Sequence, residues 1–191
     1  MNKSLHFHGP YSWRHNGDCV FDSPHIKSSG IYLHTFPYTN GFIVYYVGET
    51  GDSFQARLTT HAKGYISGEY RLLDYDALCK GEKKYIWQGL WKTDRVHLFS
   101  EFYDKYDEYV VSIKKIMDNM NLFIAPLEAD QRMRRRIEGA IGRHFLTNPG
   151  FIGQLPDTDN KLWYRKNEET PLKFRITAAS KIFELPDEIQ V

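Results

Sequence analysis

Four side chains between residues 32 and 61 have the types and spacing that proton transfer beside an anionic substrate requires. Tyr32 and Tyr46 bring phenols, while Arg57 and His61 bring a guanidinium and an imidazole. A phenol is a poor base at its free pKa of about 10, but a neighbouring cation favours the phenolate and makes proton abstraction feasible. Arg57 and His61 are four residues apart, so on a helix they fall one turn apart on one face. The two phenols must then be brought together, and that cation face delivered to them.

The local sequence predicts elements suited to this. Thr39-Asn40-Gly41 separates two apolar and aromatic runs, and Asn-Gly readily takes the positive φ angles of a tight hairpin turn. Pairing about that turn sets the start of one strand, at Gly30-Ile31-Tyr32, beside the end of the next, at Tyr46-Val47-Gly48, so Tyr32 and Tyr46 come close. Asp52 and Gln55 have the spacing of a capping box for a helix over about 53–63, with Gly64 placed to end it. Phe54 and Leu58 face the core, which leaves Arg57 at the edge of the buried face.

Further along, short strand-like or irregular runs at 70–73, 85–91 and 96–99 precede an amphipathic helix marked by Tyr103, Tyr106, Val110, Ile113 and Met117. Residues 121–127 read as a strand completing a three-stranded antiparallel core with the hairpin. A helix over 129–145 follows, with Met133, Ile137, Ile141 and Phe145 as its apolar stripe and Asn148-Pro149-Gly150 as its stop. Residues 172–177 read as a further strand, and the last segment as irregular or briefly helical. The fold class is therefore α/β of the α+β type, a small central three-stranded antiparallel sheet flanked by helices. One core over 30–148 carries an N-terminal extension, 1–29, and a C-terminal one, 149–191.

Composition narrows the function classes. With 191 residues there is room for one well-buried domain. Lys and Arg number 25 against 24 Asp and Glu, so any affinity for nucleic acid must arise from local clustering. Aromatics make up 15%, which suits strand packing more than stacking on a ligand. Cys19 and Cys79 are too few for a disulfide framework, and no run resembles a signal peptide or a membrane span, which points to a cytoplasmic, reducing location. His6, His8, His15, Cys19 and His25 are metal-binding types, but their spacing matches no zinc pattern, and surface or packing histidines are the simpler interpretation.

The order Gly30-Ile31-Tyr32, then Tyr46-Val47-Gly48 in place of a YIG, then an arginine and a histidine on the next helix resembles the GIY-YIG nuclease superfamily, whose members hydrolyse DNA phosphodiesters. The resemblance covers roughly residues 30–148, with YVG for YIG and a somewhat longer linker between the tyrosines as departures. It implies that Tyr32 acts as base toward the attacking water, that Tyr46 positions nucleophile and phosphate, and that Arg57 binds the scissile phosphate. His61 would assist by hydrogen bonding or proton transfer. Glu138, in RRRIEGAIGRHF, matches the glutamate that holds the divalent ion, Mg²⁺ or Mn²⁺; one carboxylate suffices for Mg²⁺, which keeps several waters. Asn148 matches an asparagine that family members carry after this helix.

Arg132, Arg134, Arg135, Arg136 and Arg143 read equally as a solvated helix face; beside a metal-binding glutamate they read as a phosphate-contacting surface. The resemblance is greatest to the restriction-endonuclease branch, which implies sequence-specific cleavage of double-stranded DNA, with a homodimer as one arrangement. The alternatives are a structure-selective repair or mobile-element nuclease and an inactive nucleic-acid-binding module.

Overall fold

The computed structural model describes residues 3–14, 17–147 and 163–191. In chain order its elements are β1 (Lys3–Tyr11), β2 (Gly30–Tyr38), β3 (Gly41–Thr50), α1 (Phe54–Ile66), β4 (Leu72–Leu73), α2 (Tyr75–Cys79), β5 (Tyr85–Trp87), α3 (Phe99–Asp104), α4 (Tyr106–Asn119), β6 (Asn121–Pro126), α5 (Gln131–Thr147), β7 (Lys173–Ala178) and β8 (Glu188–Gln190). They fall into two compact units, Met1–Gln55 with Met120–Val191, and Ala56–Asn119.

The first unit is built on a six-stranded sheet in the order β3-β2-β6-β1-β7-β8. Its first three strands are the antiparallel trio the sequence predicts, β2 pairing with β3 on one side and β6 on the other. The sheet is nevertheless twice the expected width, because both ends of the chain join it. β1 lies antiparallel to β6 and parallel to β7, which pairs in turn with β8. A composition rich in His, Ser and Gly hides the period-two pattern of β1, where buried Leu5 and Phe7 alternate with more exposed histidines. β8 has three residues, too few to show any period.

The hairpin closes at Tyr38 opposite Gly41, and the left-handed residue is Thr39 (φ 47°), not Asn40 or Gly41. Gly41 is required for another reason: a Cβ there would stand 2.6 Å from the backbone oxygen of Lys181. The chain after β7 returns to this point, and Phe42 donates its N–H to Lys181 (3.0 Å) and accepts one from Phe183 (2.8 Å). The sheet is thereby curled, its first strand meeting the segment that follows β7. On β2 and β3, α5 packs through Ile137, Ile141 and Phe145, all fully buried. Each such side chain contributes about 1.5–3 kcal/mol relative to exposure, so this helix is firmly placed.

The capping box expected at Asp52 and Gln55 does not form. Asp52 accepts from Ser53 N–H, while the N–H groups of Phe54 and Gln55 donate to Ser28 and Ile26 at 2.9 Å each. The segment before β2 thus supplies the carbonyls that satisfy the first turn of α1.

In the second unit, α1 continues through Gly64 to Ile66, and the left-handed stop falls at Gly68 (φ 72°). Gly64 instead makes room for the Tyr70 ring, 2.6 Å from where a Cβ would stand. The expected apolar stripe of the long helix is corrected in phase. Tyr103, Tyr106 and Val110 are exposed, and the buried set is Phe102, Tyr109, Ile113 and Ile116. Two apolar faces compete on this segment, and stacking of Phe102 on Tyr109 (5.4 Å, 10°), with its tilted contact on Trp87 (5.2 Å, 41°), selects between them. The run at 96–99, expected as strand-like or irregular, spans the end of a short 3-10 turn and the first residue of α3. Among the described residues no helix is long and apolar enough to cross a membrane.

Candidate active site

Register alone assembles the tyrosine pair. Tyr32 lies opposite Gly48 and His34 opposite Tyr46, so these four residues share one face of the β2–β3 ribbon. The rings of Tyr32 and Tyr46 are 6.0 Å apart and inclined at 35°. Gly48 is what allows this: a Cβ there would sit 2.3 Å from both Cζ and the hydroxyl oxygen of Tyr32, and 2.7 Å from Cε1 of Tyr46. The glycine of the Tyr-x-Gly tripeptide is thus the floor on which the first tyrosine lies. Phe54 closes the other side, edge-on to Tyr32 at 6.5 Å. Tyr32 is 0% exposed, whereas Tyr46 is half-buried.

His34 completes this cluster. Its ring lies 5.6 Å from Tyr32, 5.4 Å from Tyr46 and 5.8 Å from Trp13, and the residue is 1% exposed. Its position two residues after Tyr32 on a strand puts it on the same face, a placement that its residue type alone does not announce.

Glu138 sits half-buried on α5, which packs against β3 and β2, the strands that carry the tyrosines. One turn before it, Arg134 reaches the end of β3, its Nε bonded to Glu49 at 2.9 Å and its guanidinium also to the Ala129 carbonyl. Arg135 meets the other Glu49 oxygen at 3.4 Å. Glu49 is therefore an internal counter-ion.

The same holds for the rest of the arginine run, expected as a solvated face or a phosphate-contacting surface. Arg132 grips Glu169 with Nε and Nη2, and Arg136 stands 3.7 Å from that carboxylate. Arg132 and Arg135 lie over the Trp163 ring at 5.3 and 5.0 Å; Arg143 lies over Tyr164 and donates to the Trp163 carbonyl (2.6 Å). Gly139 lets the Trp163 backbone approach, since a Cβ would meet its carbonyl oxygen at 2.5 Å. The Arg132 hydrogen bonds, then the Lys166 N–H, hold the Glu169 carboxyl down at about 2. The run is a clamp binding residues 163–169 to α5. Cationic residues this dense need nearby acceptors, and here the chain supplies them itself.

Arg57 and His61 belong to the second unit, where they flank Tyr70. The buried His61 ring is 5.5 Å from that of Tyr70. Burial pushes the Tyr70 phenol up, Arg57 opposes this and Glu69 adds to it. Tyr70 is a second residue that spacing did not single out. Asn148 lies outside the described residues. Among the described residues no group of three or more His, Cys, Asp or Glu is arranged to enclose a metal ion. An ion held at Glu138 by a single carboxylate would take its other ligands from water and substrate oxygens. Comparisons with protein-family models, with curated proteins and with solved structures found no match to this chain.

Proposed function

We propose that this chain is a divalent-metal-dependent endonuclease that hydrolyses DNA phosphodiester bonds, as its resemblance to the GIY-YIG nucleases implies. The observation that carries the proposal is the packing of Tyr32 over Gly48 beside Tyr46, which gives the GIY and Tyr-x-Gly tripeptides a joint physical purpose. Isolated tyrosines on strands need no such glycine.

In this scheme the half-buried Tyr46 meets phosphate and water, and Tyr32, packed over Gly48, takes its role as base from the resemblance alone. Arg57 and His61 take their phosphate-binding and assisting roles from the resemblance alone. Glu138 would hold Mg²⁺ or Mn²⁺, which supplies charge stabilisation and an acidic water for the leaving oxygen. The substrate is double-stranded DNA cut at a specific sequence, in a cytoplasmic setting suited to the two free cysteines, with a homodimer as the symmetric arrangement. The arginines of α5 are engaged internally, so DNA contact falls to other residues.

The test is direct. Purified protein is incubated with supercoiled plasmid and linear phage DNA in MgCl₂ or MnCl₂, and the ends are sequenced. Cleavage at a fixed site, lost in Glu138→Gln and Tyr46→Phe, is the expected result. Cutting confined to branched or flapped DNA would identify a structure-selective nuclease instead, and intact DNA under every condition would sink the proposal.

A further inference from the structure

Two tryptophans of the second unit, close in sequence, are used in opposite ways. Trp87 is 3% exposed and donates its indole N–H to the Gly68 carbonyl at 2.7 Å, whereas Trp91 is 69% exposed. The Trp91 backbone is nevertheless fixed. Its N–H donates to the Glu69 carbonyl and that of Leu90 to the Gly68 carbonyl, both at 3.0 Å. Gly89, left-handed at φ 76°, permits this approach, since a Cβ there would stand 2.6 Å from the Glu69 oxygen. A large indole held outward on an anchored backbone adds little to the core and offers a flat face to a ligand.

Behind that face the rings continue inward. Tyr70 lies 6.1 Å from Trp91, inclined at 51°, and is backed by His61 at 5.5 Å and by Tyr65 edge-on at 5.4 Å. Arg57 is near enough for its charge to act on the Tyr70 phenol. Trp91 is therefore the outer end of a ring cluster that contains His61 and borders Arg57, the residue to which the resemblance gives the scissile phosphate.

The segment that carries Trp91 is basic. Over residues 80–95, Lys80, Lys83, Lys84, Lys92 and Arg95 stand against Glu82 and Asp94, in a chain whose net charge is only +1. Lys80, Lys84 and Lys92 are exposed, whereas the arginines of α5 are engaged internally. Aromatic faces take nucleobases by stacking whatever their sequence, and flanking cations follow the phosphates.

We propose that Trp91 is the stacking platform for one nucleobase of a DNA strand whose adjoining phosphates are met by Arg57 and Lys92. The choice of DNA rests on the nuclease reading. Bases within a duplex are covered on both faces, so the base that Trp91 takes is one that is unpaired or turned out of its stack.

Fluorescence anisotropy of a labelled short single-stranded oligonucleotide with the full chain, in EDTA so that no cleavage intervenes, tests it. The parent protein binds saturably, and Trp91→Ala weakens binding at least ~5-fold, while Trp91→Tyr, which keeps a ring, recovers most of the loss. An abasic strand of the same length keeps the phosphates but offers nothing to stack. The parent binds it at least ~5-fold more weakly than the base-bearing strand, and Trp91→Ala binds it as the parent does. Absence of saturable binding by the parent overturns the proposal. So does equal binding of both strands by the parent, or a Trp91→Ala loss just as large on the abasic strand. Because cleavage is not read, a protein that binds in the expected pattern yet leaves plasmid intact fails the nuclease proposal and not this one.

Discussion

Adding one methyl group at Gly48 interrogates the tyrosine pair without touching either tyrosine. In Gly48→Ala the new Cβ would lie 2.3 Å from Cζ and the hydroxyl of Tyr32 and 2.7 Å from Cε1 of Tyr46. Carbon contacts are comfortable at about 3.5–4.0 Å, so the Tyr32 ring must withdraw by roughly 1 Å or more. It has little room, being 0% exposed, with Phe54 edge-on at 6.5 Å and His34 at 5.6 Å. Overpacking of this kind costs about 1–3 kcal/mol. At roughly 2–4 °C per kcal/mol for a chain of this size, the thermal midpoint should drop by about 2–12 °C. DNA cleavage should fall further than stability does, by about 100-fold, because a displacement of about 1 Å in a reacting group is enough for that.

A double-mutant cycle sharpens the point. Tyr32→Phe removes the hydroxyl, one of the two Tyr32 atoms the methyl meets, so the Gly48→Ala penalty should shrink by at least ~0.5 kcal/mol in that background. Urea unfolding of the four proteins supplies the numbers. A Gly48→Ala protein with unaltered stability, or penalties that simply add, would refute the claim that Gly48 is there for Tyr32.

Other outcomes follow from the ion pairs and the histidines. Glu49→Gln, which leaves the largely buried Arg134 (8% side-chain exposure) without its charge partner, should cost about 3 kcal/mol in urea unfolding. Because the Glu169 carboxyl is held at about 2 against an ordinary 4.5, its contribution is complete above pH 4.5 and is lost as pH falls toward 2. Thermal midpoints of the parent protein and Glu169→Gln should therefore differ near neutrality and converge in acid. The His8 imidazole, lowered from 6.5, binds its proton less readily in the folded chain, so stability declines as pH falls below 6.5. His25→Gln removes one cause of that lowering, and NMR titration should show the His8 pKa moving up.

Local periodicity and turn chemistry made the centre of the first unit legible. The hairpin, the strand at 121–126 and the stripe of Ile137, Ile141 and Phe145 on α5 all follow from residue patterns in contiguous windows. The outer strands were hidden because β1 and β8 are recruited by distant partners and carry little pattern of their own. α4 shows a different limit. It has two plausible apolar faces, and only contact with Trp87 and Phe102 decides which is buried. Within the candidate site, the tyrosines and Gly48 could be aligned by counting along a hairpin. The arginines could not be apportioned, since their partners Glu49 and Glu169 are chosen by tertiary packing.

The return of the chain to Phe42 bears on solubility. β3 is the first strand of the sheet, and its outer N–H and C=O groups would be a template for another molecule's strand. Lys181 and Phe183 occupy that template at Phe42, while Phe183 also lies edge-on to Tyr38 at 5.4 Å. Gly41 is the hinge of this cover, because any larger residue drives the Lys181 carbonyl away. Gly41→Val should accordingly leave β2 and β3 paired but uncover the rim, turning a self-contained sheet into one that recruits copies of itself.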